Sequence, residues 1–321
     1  MQMELTLLLA VGGILAGGFG ALLGLGGGIL VVPLLTLGFG LPFREAAAIS
    51  LMGVITTSSS SAAVYLRRRT ANLRLGLTLE LFTATGALVG GLVAFALSER
   101  MLAGLMAAML IYTAWTMLRR ALSERRDAAG AAAPAPARGA APAADPAVPA
   151  DPAAAVAGAD PPAGDPPTVG APVSPSTARG SYVAALGGSD YVVRRLPFGA
   201  ALAFAAGILS ALLGVGGGVV QVPAMNLVMG VPLRVSTATS NLMMGVTASA
   251  GALVYVLRGQ VDPYVAGPVV VGVFLGAVST SRVAHLVPTR ILRLLFVVVL
   301  CYTAFEMASR ALGLPIGPLG A

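Results

Sequence analysis

Gly24-Leu25-Gly26-Gly27-Gly28 recurs 190 residues further on as Gly214-Val215-Gly216-Gly217-Gly218, and the register between the two copies holds without a gap. Pro33 meets Pro223, Pro42 meets Pro232, Arg44 meets Arg234, Ser50 meets Ser240, Thr57 meets Thr247 and Tyr65 meets Tyr255. Further out, Gly86 meets Gly276, Arg100 meets Arg290, and Tyr112-Thr113-Ala114 meets Tyr302-Thr303-Ala304. Self-similarity at one fixed offset, from the first apolar run to the last, identifies a duplicated unit. Within each copy the glycines separate two apolar runs, which is where a chain turns tightly.

The composition says what kind of unit is duplicated. Hydrophobic residues make up 57% of the 321 residues, charged residues 10%, and the mean hydropathy is +0.87. A soluble domain covers itself with roughly 25% charged residues, so a water-soluble globule is excluded. The net charge of +7 and a pI near 10.3 suggest a nucleic-acid binder at first sight. All twenty basic residues are Arg, however, and they lie between apolar stretches, where membrane topology signals sit; no nucleic-acid partner is expected. The one cysteine, Cys301 in an apolar run, excludes an intrachain disulfide or a multi-cysteine metal site and reads as a buried thiol. Met1-Gln2-Met3-Glu4 lacks the positive start of a secretory signal, so the first apolar run reads as a retained membrane segment.

The first copy contains five apolar segments, at Leu5 to Leu23, Ile29 to Phe39, Glu45 to Leu66, Leu75 to Leu97 and Met101 to Leu118. The second of these is about 16 Å of helix, short of an ordinary span, and either crosses or re-enters. From Asp127 to Gly180 the chain is dominated by Ala, Pro, Gly and Asp and holds 12 of the 22 prolines. Such a stretch cannot bury a core, and it reads as a disordered linker. The expected organisation is a first transmembrane repeat over residues 1–122, a linker over 123–195 and a second repeat over 196–321. Equivalent loops carry opposite charge bias. Arg67, Arg68, Arg69 and Arg74 follow the third segment of the first copy, whereas Arg282, Arg290 and Arg293 flank the next turn of the second. By the positive-inside rule the copies are inverted, with the Arg-bracketed linker cytoplasmic and both termini outside. The fold class expected is an all-α polytopic membrane protein of two homologous halves.

Broken helices in a membrane mark binding sites, because their ends offer free N–H groups inside a fold that otherwise satisfies its own backbone. Gly24, Gly26, Gly27 and Gly28, with Gly214, Gly216, Gly217 and Gly218, are therefore candidate substrate-binding positions; close helix packing is the alternative. Gly17, Gly20 and Gly207 read as packing glycines. The third segment of each copy is rich in hydroxyls. Ser50 and Thr57 share a helix face, as do Ser236, Ser240 and Thr247. Such a face can donate to an oxyanion without adding charge, or its hydroxyls can bond back to their own helix. Asn241 is the amide that the first copy lacks, Leu51 standing in its place. Arg44 and Arg234 read as snorkelling or anion-attracting, Glu80, Glu306, Tyr65, Tyr255 and Trp115 as interfacial, and His285 as a loop-edge residue. No Ser/His/Asp arrangement with all members on membrane-compatible faces, no paired His or Cys ligands and no P-loop is present, so neither an enzyme nor a cofactor is expected.

These residues resemble a known family. A doubled helix ending in G-x-G-G-G, a short apolar stretch with Pro, and a Ser/Thr-rich helix after a Pro-x-Arg turn are similar to the TauE/SafE family of sulfite exporters. The likeness covers Leu5 to Leu122 and Leu196 to Leu312. It implies transport of sulfite, sulfonate or sulfoacetate-type anions, usually outward, across the bacterial inner membrane, with the two Gly elements as the family's repeated motif. The expectation is a secondary transporter, seated in a lipid bilayer and able to form homo-oligomers, in which one half rocks against the other around a central site. An anion channel or a non-transporting scaffold is the alternative the residues leave open.

Overall fold

A computed structural model describes residues 2–23, 27–67, 71–131, 193, 195–283 and 289–313. Among them there is helix and no strand. The first half contains α1 (Gln2–Leu23), α2 (Gly28–Pro33), α3 (Phe43–Arg67), α4 (Leu73–Ala96) and α5 (Glu99–Ala131). The second contains α6 (Leu196–Leu213), α7 (Gly218–Pro223), α8 (Leu233–Leu257), α9 (Pro263–Val283) and α10 (Thr289–Ala311). The bounds of α2 and α7, and of α3 and α8, are again 190 residues apart.

α2 and α7 each widen into a π turn, Leu34–Gly38 and Ala224–Val228. The widening begins directly after Pro33 and Pro223, whose rings remove a donor from the helical ladder. Among the described residues, five helices are long and apolar enough to cross a membrane: α4, α6, α8, and the stretches Glu99–Arg119 of α5 and Pro263–Thr280 of α9. Leu77, Leu81, Ile111, Val271, Val298 and Phe305 are exposed on the outside of the array, as lipid-facing side chains are. Cys301 is exposed too, not buried as its apolar run suggested: around a membrane helix both faces are apolar, so hydrophobicity does not report burial.

α5 continues to Ala131, so the first nine residues assigned to the linker are helical. Arg, Glu and Ala there are good helix formers, and the first proline comes only at Pro134. The rest of the linker, apart from Val193 and Arg195, lies outside the described residues.

Helices of the two halves interleave. Gly13 and Gly17 of α1 lie on Val269 and Val273 of α9, and Gly18 lies on Gly276, so α1 and α9 run in the same direction. Gly86 and Gly90 of α4 meet Phe204 and Ile208 of α6 in the same manner. α3 and α8 run antiparallel, with Leu51 beside Gly251 and Ser58 beside Gly245. α2 doubles back along α1: Gly27 lies against Gly17 and Gly20, while Leu34 and Phe39 reach Gly12. It starts beside Ser50 and Val54, near the middle of α3, and returns to the end where α3 begins. The short second segment therefore re-enters.

Gly17, Gly20 and Gly207 sit at backbone contacts. A Cβ on Gly207 would overlap the Thr83 carbonyl, one on Gly17 that of Val273, and one on Gly20 the backbone of Gly27. Gly207→Val should lower stability by about 2 kcal/mol or more. Gly104→Ala in α5 adds a Cβ that meets only the Ala311 methyl at 3.5 Å, and it should be neutral or stabilising by up to about 1 kcal/mol. Melting temperatures of the two detergent-purified variants check the contrast.

Candidate functional site

The two helix breaks meet at one side chain. Ser50 on α3 places Oγ 2.7 Å from the Gly214 carbonyl and 3.1 Å from the Gly28 carbonyl, one in each half. A helix that stops leaves carbonyls without partners; the Ser50 hydroxyl meets that of Gly214 at the end of α6 and also lies against the Gly28 carbonyl at the start of α2. Tyr255 supports the same end: its OH donates to the Ala211 carbonyl at 3.0 Å, and its ring lies 5.5 Å from that of Phe95. Tyr255 is thus fully buried rather than interfacial, because its hydroxyl finds a carbonyl inside the array.

The local folding follows from glycine. Gly27 and Gly217 precede α2 and α7 with φ of 78° and 74°, the left-handed region that a side chain disfavours. From there the Gly217 carbonyl accepts from Val220 and Gln221, which starts α7. Gly28, Gly214, Gly216 and Gly218 are also tight. A Cβ on Gly28 would lie 2.6 Å from the Gly214 carbonyl oxygen, one on Gly214 2.8 Å from Ala47 Cα, one on Gly216 2.6 Å from Val54 and one on Gly218 2.6 Å from the Met244 sulfur. Gly24 and Gly26 lie outside the described residues, as does His285.

The hydroxyls divide into those that bond across helices and those that bond back. Ser240 donates to Gln221 Oε1 at 3.1 Å, and Thr247 donates to Glu80 Oε1 at 2.8 Å. Ser58 donates to the Asn241 carbonyl, joining α3 to α8 with Asn241 itself buried. Thr57 instead bonds to Val54 of its own helix at 3.1 Å, and Thr56, Ser59, Ser60 and Ser61 do likewise. Arg44 is half-buried beside the end of α4. It donates to the Ala94 carbonyl at 3.2 Å and the Leu97 carbonyl at 2.8 Å, closing the end of α4.

Glu80, Ser210 and Gln221, which the sequence reading placed elsewhere or passed over, are buried here. Glu80, expected near the interface, is buried between α4 and α8; its second oxygen accepts from Thr83 at 3.0 Å. Glu306 is buried as well. Ser210 at the end of α6 and Gln221 in α7 are 1% and 2% exposed. Among the described residues, Ser210 Oγ and Gln221 Nε2 are the buried side-chain polar atoms without a partner. The repeat held the signal for all three: Glu80 stands opposite Val270, Ser210 opposite Gly20 and Gln221 opposite Val31. Each is polar in one half and apolar in the other.

With this geometry in view, the comparison with known proteins decides the class. The model of the family described as "Sulfite exporter TauE/SafE" matches residues 9–307, nearly the whole chain. The chain belongs to the TauE/SafE family. It is also similar to the "Probable membrane transporter protein YunE" of Bacillus subtilis (strain 168), 25% identical over 310 residues, which cover 93% of this chain and 97% of that relative. No solved structure matches it. This TauE/SafE protein is a multi-pass membrane transporter rather than an enzyme.

Ser50→Ala removes the donor shared by the two breaks and leaves the buried Gly214 carbonyl unsatisfied. It should cost about 1–3 kcal/mol. Ser59→Ala, which removes an exposed hydroxyl bonded to its own helix, should stay within about 0.5 kcal/mol. Thermal unfolding of both purified variants checks the pair.

Proposed function

We propose that this TauE/SafE transporter is a secondary carrier of small sulfur-oxide or organosulfur anions of the sulfite, sulfonate or sulfoacetate type. It exports them across the bacterial inner membrane by alternating access. The observation that carries this reading is the convergence of two interrupted helices on the Ser50 hydroxyl. Interrupted helices facing each other at the centre of a duplicated fold are how secondary transporters build a substrate site.

Several features support it. The breaks are lined by glycine backbone and neutral hydroxyls, which can hold an oxyanion without the charge that would retain it. An inverted repeat fits the antiparallel α3 and α8, and it also fits the count in each half, one re-entrant pair followed by three long helices. Since an odd number of crossings turns the second copy over, the Arg-flanked linker falls on the cytoplasmic side. The family description names sulfite as the exported anion.

The interleaving alters which parts move. α1 and α2 carry the first break and pack on α9 of the other half, and α6 with the second break packs on α4. The bodies that rock are therefore mixed, each break moving with helices of both halves, rather than one half moving against the other.

The test is flux through proteoliposomes containing the purified full chain and loaded with sulfite. Saturable efflux with counterflow is expected, and a Gly27→Val/Gly217→Val variant should lose it while remaining inserted. Flux that never saturates, or undiminished flux in the double variant, would overturn the carrier reading.

A further inference from the structure

Gly27 and Gly217 share a left-handed conformation, but the side chains around them differ. At the first break, Gly20 of α1 packs directly on Gly27, and a Cβ there would overlap the Gly27 backbone. At the second break the same position in α6 is Ser210, and it faces Gly217. The next polar difference is Gln221, where α2 has Val31. Its Oε1 is engaged by the Ser240 hydroxyl at 3.1 Å, which leaves its N–H groups pointing elsewhere. The point where a Gly217 side chain would begin lies 3.4 Å from Gln221 Nε2 and 3.5 Å from Ser210 Oγ. Because residue 217 is glycine, no side chain stands between the two donors. Both donors are buried, and neither has a partner among the described residues.

We propose that the second break alone binds the transported anion, with Ser210 Oγ–H and Gln221 Nε2–H at Gly217 donating to one of its oxygens, and that the first break is a packed, non-binding counterpart. The inference rests on the transporter reading above and adds to it the half that binds and two residues that set specificity.

The chemistry of the donors selects the ligand. A buried donor left without an acceptor is unfavourable, so a group that supplies one is stabilised there. An anionic oxygen is the best such acceptor, because a charge-assisted hydrogen bond is roughly twice as strong as a neutral one. With no cationic side chain bonded at this point, the ligand is recognised by hydrogen bonds rather than by an ion pair. That favours a compact oxyanion such as sulfite over chloride, which is a larger and weaker hydrogen-bond acceptor. At the positions equivalent to Ser210 and Gln221 the first half has Gly20 and Val31, which carry no polar side-chain atom.

The experiment replaces both donors in the full chain, Ser210→Ala with Gln221→Val, which makes the second break resemble the first. The readout is the melting temperature of the detergent-purified protein against sulfite concentration, with chloride as control. In the unsubstituted protein sulfite should raise the melting temperature by mass action and chloride should not. The double variant should need at least tenfold more sulfite for the same shift, measured from its own ligand-free melting temperature, because Gln221→Val also removes the acceptor of the Ser240 hydroxyl. A mirror variant, Val31→Gln, should leave the sulfite response as it was.

If the double variant responds to sulfite like the unsubstituted protein, the donors hold only water or nothing, and the inference is overturned while the transporter reading stands. A lower ligand-free melting temperature with an unaltered sulfite midpoint assigns the pair a structural role and overturns it equally. Absence of any sulfite response in the unsubstituted protein, together with absence of sulfite flux, would overturn both readings at once.

Discussion

A helix interrupted inside an apolar array leaves backbone carbonyls that water cannot reach, and the rest of this structure is arranged around meeting that need. Ser50 and Tyr255 supply hydroxyls to the end of α6, and left-handed glycines start α2 and α7. Because Ser50 also reaches the Gly28 carbonyl, satisfying one break fixes its distance from the other. The meeting of the two breaks is thus a by-product of backbone hydrogen bonding, and its location follows from where the helices stop.

Much of this was legible in the sequence. The doubled Gly motif gave the interruptions, the matching register gave equivalent helices, and the apolar runs gave helix rather than strand. Gly17, Gly20 and Gly207 could be read as packing positions, and they meet backbone on the neighbouring helix. The direction of the second segment was not legible. Eleven apolar residues have no signature that separates dipping in from crossing, and only the contacts of Gly12 and Gly20 with the returning chain decide it.

Side-chain partners were the least legible. Ser50 and Thr57 occupy one helix face, yet the first bonds across to the other half while the second bonds within its own helix. Helical periodicity gives the face and not the neighbour. Tyr255 and Cys301 failed as burial predictions for a related reason. Lipid and protein interior are both apolar, so a membrane helix shows little contrast between its inner and outer sides. The contrast that does exist is between the copies, where Ser210 opposite Gly20 and Gln221 opposite Val31 depart from an otherwise shared pattern.

The glycine faces that join α1 to α9 and α4 to α6 have a consequence for biosynthesis. The surfaces that Gly17 and Gly86 offer are completed by residues made long after them, beyond the whole linker. A newly inserted first half must therefore wait with its closest-packing faces unmatched, and the final assembly step is a long-range docking limited by how soon the second half arrives. Because both halves belong to one chain, the late partner is held at high effective concentration.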